Sequence, residues 1–165
     1  MSALGDRVRL MLGRAIVKLA NDATMLQSLQ IEMLSDELQD DAERFQDYGF
    51  TSVPHADAEA LVGCVGGLRS HAVVIAVADR RYRLTGLLAG EVALYDDLGN
   101  VVKLGRDALE VTGIAKVAVT APQVLVESDD VQLGGAGGEA VARVGDDVDL
   151  GTGKIISGSA KVTAA

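Results

Sequence analysis

The spacing of apolar residues changes along the chain and predicts different structures for its successive parts. Residues 1–14 have apolar side chains at helical spacing, which predicts a short amphipathic helix. Gly13 weakens this helix and suits its end, so that residues 15–20 form a first strand. The apolar positions with helical spacing are Leu4, Val8, Met11, Leu12, Ala15, Ile16 and Leu19.

Residues 15–107 have the pattern of a small all-β barrel. The predicted strands are residues 15–20, an alternating strand around 28–33, two apolar runs at 60–65 and 72–78, and a hairpin of 91–95 with 101–104. In the hairpin, Val92 and Leu94 face Val102 and Leu104. Residues 35–59 are polar and acidic and predict a long loop, or a short helix followed by a loop. About five strands in about 90 residues favour an oligonucleotide/oligosaccharide-binding (OB) type of barrel.

Residues 108–138 alternate between apolar and small or polar side chains, with no aromatic residue after Tyr95. Such short strands cannot bury an apolar face alone, because an isolated hairpin is marginal in water. We therefore expect a narrow β-structure whose core is shared between chains. The predicted shared core consists of Val111, Val117, Val119, Val124, Val126, Val131 and Leu133.

Residues 139–165 form a turn-rich hairpin pattern after a run of glycines at 134–138. Asp146, Asp147 and Asp149 are candidate oxygen ligands for a hard cation, although they do not match an EF-hand loop. The alternative is an acidic turn. The segment Gly151-Thr152-Gly153-Lys154 lacks the spacing of a phosphate-binding loop and indicates a tight turn.

Composition narrows the classes of function. The net charge of −9 disfavours a general nucleic-acid binder, which needs a basic surface. One cysteine, Cys64, cannot form an intramolecular disulfide, and no apolar run is long enough to span a membrane. The N-terminus has no apolar signal core, so we expect folding in the cytoplasm.

The residues that most often catalyse reactions are few and scattered. His55 and His71 have no metal-ligand neighbour at a recognised spacing, and Cys64 lies in an apolar run. We therefore expect no enzymatic activity and no cofactor. The alternative function is an OB-type module that binds single-stranded nucleic acid or glycan, with a candidate basic patch at Arg80, Arg81 and Arg83.

Three groups of residues resemble the Mu-type phage baseplate assembly protein V family, the central tail spikes. The first is Glu43-Arg44-Phe45-Gln46-Asp47-Tyr48-Gly49-Phe50-Thr51-Ser52 followed by Pro54. The second is Gly66-Gly67-Leu68-Arg69-Ser70-His71, then Val73-Val74-Ile75-Ala76 and Asp79-Arg80-Arg81-Tyr82-Arg83. The third is Gly90-Glu91-Val92-Ala93-Leu94-Tyr95 with the Gly99-Asn100 turn. The resemblance covers about residues 10–112 in order.

The resemblance implies a homotrimeric spike beneath a contractile tail tube. It implies an N-terminal helical segment (1–14), an OB-like barrel (15–107), an intertwined triple-stranded β-helix (108–138) and a pointed tip (139–165). The implied partners are the hub or tube proteins of the baseplate. The N-terminal segment is basic and amphipathic, which predicts that it docks on these proteins; a membrane-surface role is the alternative. The implied target is the host envelope, and no nucleic acid is involved. The protein is then assembled in the host cytoplasm and located in the virion tail.

The end of the chain, at 141–146 and 156–162, is similar to the repeats of PAAR-type spike tips. Spikes of this type often end in a His-x-His pair that binds iron on the threefold axis. This sequence has no histidine after His71, so the implied iron site lacks its ligands.

Overall fold

Five strands close into a barrel in the first part of the chain. The computed structural model describes Val8, residues 11–34 and residues 37–164, and the chain forms two units, Met1–Val117 and Ala118–Ala165. The barrel strands are β1 (Leu12–Asn21), β2 (Ser28–Leu34), β3 (Glu37–Arg44), β4 (Glu59–Cys64) and β5 (Ala72–Ala78). Their order is β1–β2–β3–β5–β4, and β3 pairs with β5 in parallel. The expected small closed barrel is confirmed.

The interior of the barrel is built from small and branched aliphatic side chains. The buried apolar residues are Ala15, Val17, Leu29, Ile31, Ala42, Ala58, Ala60, Val62, Cys64, Ala72 and Val74. Inward and outward positions alternate along β4, as its sequence predicts. Two single 3₁₀ turns, Val65–Gly67 and Arg69–His71, connect β4 to β5.

The predicted N-terminal helix is wrong at its C-terminal end. Leu12, Gly13 and Arg14 belong to β1, where Ala15 and Val17 point into the barrel. The apolar residues of this segment fit both a period of two and a helical period, and pairing with β2 and β4 selects the strand. Residues 1–7 and 9–10 of the predicted helix lie outside the described residues.

The expected loop at 35–59 is also wrong in its first part, because Glu37–Arg44 forms β3. Two features explain why the sequence does not predict this strand. Its inward positions near the C-terminal end are Ala42 and Arg44, so no apolar alternation is visible. In addition, the register with β2 shifts between Leu29 and Ile31, and Asp41 has a φ of 54°. Such a bulge interrupts the alternation of side chains.

The predicted hairpin is confirmed, but it does not belong to the barrel. Strands β6 (Val92–Tyr95), β7 (Val101–Leu104) and β8 (Leu109–Thr112) form a separate three-stranded antiparallel sheet. The pairing of β7 with β8 crosses the predicted segment boundary at 107/108. Arg106 donates a hydrogen bond to the backbone oxygen of Ala89, and Gly90, at a φ of 84°, leaves room for its guanidinium.

The second unit contains five short strands. They are β9 (Val131–Leu133), β10 (Glu139–Ala140), β11 (Val148–Asp149), β12 (Lys154–Ile155) and β13 (Val162–Ala164). Strand β13 pairs with β9 in parallel and with β10 antiparallel, while β11 and β12 form a hairpin. Gly158 lies so close to β10 that an added Cβ would stand 2.7 Å from the Cβ of Ala140.

Across the described residues, no helix is long and apolar enough to cross a membrane.

We expect the barrel to unfold more easily when an inward side chain is shortened. Ile31→Ala removes a fully buried side chain and should lower the free energy of unfolding of the barrel by about 3 kcal/mol. Leu38→Ala is the matched control, because Leu38 is 59% exposed on the neighbouring strand. Its change should stay below about 0.5 kcal/mol in denaturant-induced unfolding. Equal losses for the two variants would contradict this assignment of the core.

Candidate functional site

One face of the β6–β7–β8 sheet consists entirely of valine and leucine. The strand register aligns Val92, Leu104 and Leu109 in one row across the sheet. A second row contains Leu94, Val102 and Val111. All six side chains are exposed in the single chain. We call these six residues the Val/Leu face.

The opposite side of the same sheet has a different character. Lys103 pairs with Glu91, at 3.4 Å between Nζ and Oε1, and Glu110 lies beside Lys103 in the register. A carboxylate that accepts hydrogen bonds is stabilised in its charged form. Glu91 accepts from the backbone nitrogen of Leu88 and from Lys103, which lowers its pKa. The sheet therefore carries its charged side chains on one side, together with Ala93, Tyr95 and Val101, and only valine and leucine on the other.

In the described part of the chain no element buries the Val/Leu face, although Val117 lines a shallow depression together with Leu94, Val102 and Val111. Every buried apolar residue lies between Ala15 and Val74, so none belongs to this sheet or to the second unit. Burying one valine or leucine side chain contributes about 1.5–3 kcal/mol. A contiguous apolar face of this kind marks an interaction surface.

The seven residues of the predicted shared core occupy three settings. Val111 lies on the Val/Leu face, and Val131 and Leu133 lie in β9 beside β13. Val117, Val119, Val124 and Val126 lie in a stretch from Gly113 to Asp130 without a strand, and Val119 is 74% exposed. Five residues of the Val/Leu face were not among the predicted core residues. Four of them lie in the hairpin that was assigned to the barrel, and the fifth, Leu109, lies in the 108–138 segment but was not included in the predicted core. The alternation of apolar and other residues along β6, β7 and β8 was the sequence signal that could have identified this face.

A buried arginine joins two loops at one end of the barrel. Arg44 is 7% exposed, and its Nη1 donates to Gln27 Oε1 at 2.8 Å and to the backbone oxygen of Ser52 at 2.6 Å. Its Nη2 donates to Ser52 Oγ at 3.0 Å. Gln27 in turn donates to Asp22 Oδ1 at 2.6 Å. Burial lowers the pKa of Arg44, while the charge of Asp22 acts in the opposite direction.

The three candidate cation ligands of residues 139–165 have local structural roles. Asp146 accepts hydrogen bonds from the backbone nitrogen and the guanidinium of Arg143, which lower its pKa. Asp149 accepts from the backbone nitrogens of Gly151 and Thr152, and this lowers its pKa. Asp147 hydrogen-bonds through its backbone. These contacts are those of acidic turns. In the described residues, no three acidic, histidine or cysteine side chains gather in a way that could hold a metal.

Residues 139–165, the predicted tip, do not fit the iron site that the family resemblance implies. Both histidines belong to the first unit: His71 lies in the second 3₁₀ turn, before β5. His55 Nε2 lies 3.2 Å from Asp97 Oδ2, and its ring contacts Tyr82 with 4.9 Å between centroids. The carboxylates of Asp146 and Asp149 are engaged in their own turns.

The residues of the alternative functions are placed as follows. Cys64 is buried in the barrel interior. Arg80 pairs with Glu59 at 2.6 Å, and Arg81 pairs with Asp79 at 2.7 Å. These carboxylates neutralise two of the three arginines of the proposed nucleic-acid patch, and the pairing with Arg81 lowers the pKa of Asp79. The patch therefore does not offer the positive groove that single strands need.

Comparison with known proteins identifies the class to which the barrel belongs. Residues 14–81 match the family described as Bacteriophage Mu Gp45, N-terminal. The chain is 45% identical over 107 residues to the "Baseplate puncturing device gp45" of Escherichia phage Mu, which covers 65% of this chain and 54% of that protein. It is 41% identical over 112 residues to the "Mu-like prophage FluMu protein gp45" of Haemophilus influenzae, which covers 68% of this chain and 61% of that protein.

These matches confirm the resemblance to Mu-type baseplate spike proteins that was found in the sequence. The chain spans between about half and three fifths of the length of the two curated relatives.

We expect the Arg44 network to stabilise the barrel strongly. Arg44→Ala leaves Gln27 Oε1 and Ser52 Oγ without the donor they have in the folded chain, so the free energy of unfolding should fall by about 2–4 kcal/mol. The matched control is Arg69→Ala, since Arg69 makes a half-exposed ion pair with Glu37. That variant should lose at most about 1 kcal/mol. Similar losses in denaturant titrations would refute the special role of Arg44.

We expect acid to weaken the 143–158 turn structure. A carboxyl group whose pKa is lowered by folding stabilises the fold above its ordinary pKa, and this stabilisation disappears as the pH falls. Because Arg143 lowers the pKa of Asp146, the thermal midpoint of the second unit should drop between about pH 5 and 3. Asp146→Asn should remove part of that drop, whereas Asp147→Asn should not. An unchanged drop in Asp146→Asn would contradict this coupling.

Proposed function

We propose that this chain is the central spike of a contractile phage, or phage-like, tail baseplate and that it pierces the host cell envelope when the tail contracts. The Val/Leu face, uncovered in a single chain, is the observation that carries the proposal. The name of the phage Mu relative, a baseplate puncturing device, supports the same role. Its location is then the virion tail baseplate.

Packing of three copies would bury the Val/Leu face. If three sheets turn this face toward a common axis, the six side chains of each sheet leave water and form a closed apolar core. Two sheets packed face to face would also cover it. Three is the number that the family resemblance implies, and the molar mass distinguishes the two assemblies.

The segment from Gly113 to Asp130 supports intertwined chains. It contains no strand within its own chain, although its valines alternate with small or polar residues. Strand edges supplied by neighbouring copies would pair this backbone and cover Val119, Val124 and Val126. Residues 108–138 then form the triple-stranded β-helix, and residues 139–165 form the tip.

The proposed mechanism is mechanical. A β-structure whose backbone hydrogen bonds are paired between chains resists bending, and an apolar axis keeps a thin rod dry inside. The net charge of −9 per chain keeps such rods from adhering to one another. No catalytic step is needed, and we propose none. The N-terminal segment contacts the baseplate hub or the tube, which transmits the force.

Two adjacent residues of β8 provide a sharp test of the assembly. Val111 belongs to the Val/Leu face, whereas Thr112 points to the other side, and both are exposed in the single chain. Val111→Asp should abolish the trimer, because it brings three charges together in an apolar core. Thr112→Asp should leave the trimer intact. Sedimentation velocity measures the oligomeric state of both variants. A trimer of unchanged stability in Val111→Asp would contradict the proposal that the Val/Leu faces meet at the trimer axis.

A second experiment tests the location and the function. Tail particles from the strain that encodes the chain should contain it, and a tag-specific antibody should label their baseplate end in electron micrographs. Particles that assemble with Val111→Asp should lack the spike and fail to permeabilise target cells. Particles with Thr112→Asp should permeabilise them normally. Label along the tail sheath, or full permeabilisation without the chain, would contradict the proposed function.

A further inference from the structure

We propose that neighbouring barrels contact each other head to tail in the trimer: two loops of one barrel pack on the outer face of strands β1, β4 and β5 of the next. This inference rests on the proposed trimer and adds a second, separate contact to it. A cyclic assembly needs two different and complementary surfaces on each copy. The barrel presents such a pair.

The first surface is formed by residues 22–27 and 45–53, which we call the loop pair. It contains three of the chain's five aromatic residues. Met25 and Tyr48 are completely exposed, and Phe50 is 52% exposed. Large apolar side chains of this kind form the anchors of protein interfaces.

The loop pair is held in place before any partner binds. Arg44 and Gln27 connect the two loops through buried hydrogen bonds to Ser52, whose backbone nitrogen donates to Gln46 Oε1 at 2.9 Å. Ordering loops at an interface opposes association, so a loop that is already fixed binds more tightly. This network gives the buried arginine a role beyond the stability of the barrel.

The second surface is the outer face of β1, β4 and β5. Leu12, Leu61 and Ile75 are exposed there, and the alternation of the strands places them outside the closed barrel. Gly63 lets Ile75 pack closely over β4: a Cβ at this position would stand 3.0 Å from Cδ1 of Ile75. Beside them, Leu61, Ala76 and Ala78 line an apolar depression on the same face.

Charge complementarity selects a second copy as the occupant. The loop pair carries the exposed acids Asp22 and Asp47 and contains no basic residue. Arg44, which precedes its second loop, is buried in β3. The outer face is bordered by Arg14 and Arg80, which share the single carboxylate of Glu59. One positive charge therefore remains beside the apolar depression, opposite the acids of the next loop pair.

Cross-linking tests the contact in the full chain. In a Cys64→Ala background, Tyr48→Cys and Leu61→Cys are combined and treated with a short bis-maleimide. Head-to-tail packing should give covalent dimers and trimers on a denaturing gel. Each single variant should give only uncross-linked chains on the gel. In head-to-tail packing, the cysteine of one chain does not face the equivalent cysteine of the next chain. The yield should fall as salt is added, since charge contributes to the contact.

The control pair is Leu38→Cys with Leu61→Cys, which moves one cysteine to an exposed position on β3, away from the loop pair. Cross-links in this control at equal yield would overturn the inference. Cross-links between chains that carry only Tyr48→Cys would place the loop pairs against each other and would also overturn it.

The outcomes separate this inference from the proposed function. If light scattering gives a trimer and the Tyr48/Leu61 pair does not cross-link, the barrel contact is wrong and the trimer stands. If the protein has the mass of one chain, the proposed assembly fails and the barrel contact fails with it.

Discussion

Apolar side chains need an interior in which to pack, and among the described residues of a single copy that interior lies inside the barrel. The barrel interior is complete by Val74, yet about half of the chain follows that residue and contains many valines and leucines. The β6–β7–β8 sheet has a whole face of them without a cover. Assembly with further copies supplies the missing interior. The need to bury these apolar side chains therefore supports the proposed spike assembly.

The barrel has the opposite character, because its strands close on themselves and leave no free edge. Arg44 is the point where its interior meets its loops. A buried guanidinium is tolerated only when its hydrogen bonds are made, and Gln27 and Ser52 accept them. The same bonds fix the loops that present Met25 and Tyr48 to solvent. The Arg44 guanidinium thus stabilises the barrel and also fixes the loops that are proposed to contact the next barrel.

Local pattern was sufficient for the strands whose inward residues are all apolar. Strand β5 matches its predicted bounds, and Val92 and Leu94 face Val102 and Leu104 as expected, with Val92 opposite Leu104. Strand β3 escaped prediction because its inward positions include Arg44 and its alternation is broken near Asp41. An arginine in an acidic run looks like part of a solvated surface until Gln27 and Ser52 are known to surround it.

The Val/Leu face was missed in the sequence for a different reason. Each of its strands was visible in the sequence, but β8 follows Gly105 and was assigned to the next segment. Only the pairing of β7 with β8 brings Val111 beside Val102 and reveals the face as a unit. The limits of the four predicted segments and the residues of the shared core remain predictions about the assembled molecule.

The molar mass of the purified chain in solution tests the central claim most directly. Light scattering coupled to size exclusion, at several micromolar concentrations, should give three times the single-chain mass of 17.1 kDa. The value should not change on dilution, because the apolar core would be formed only by the complete assembly. A mass of 17.1 kDa, with the strand content of the folded chain by circular dichroism, would contradict the account.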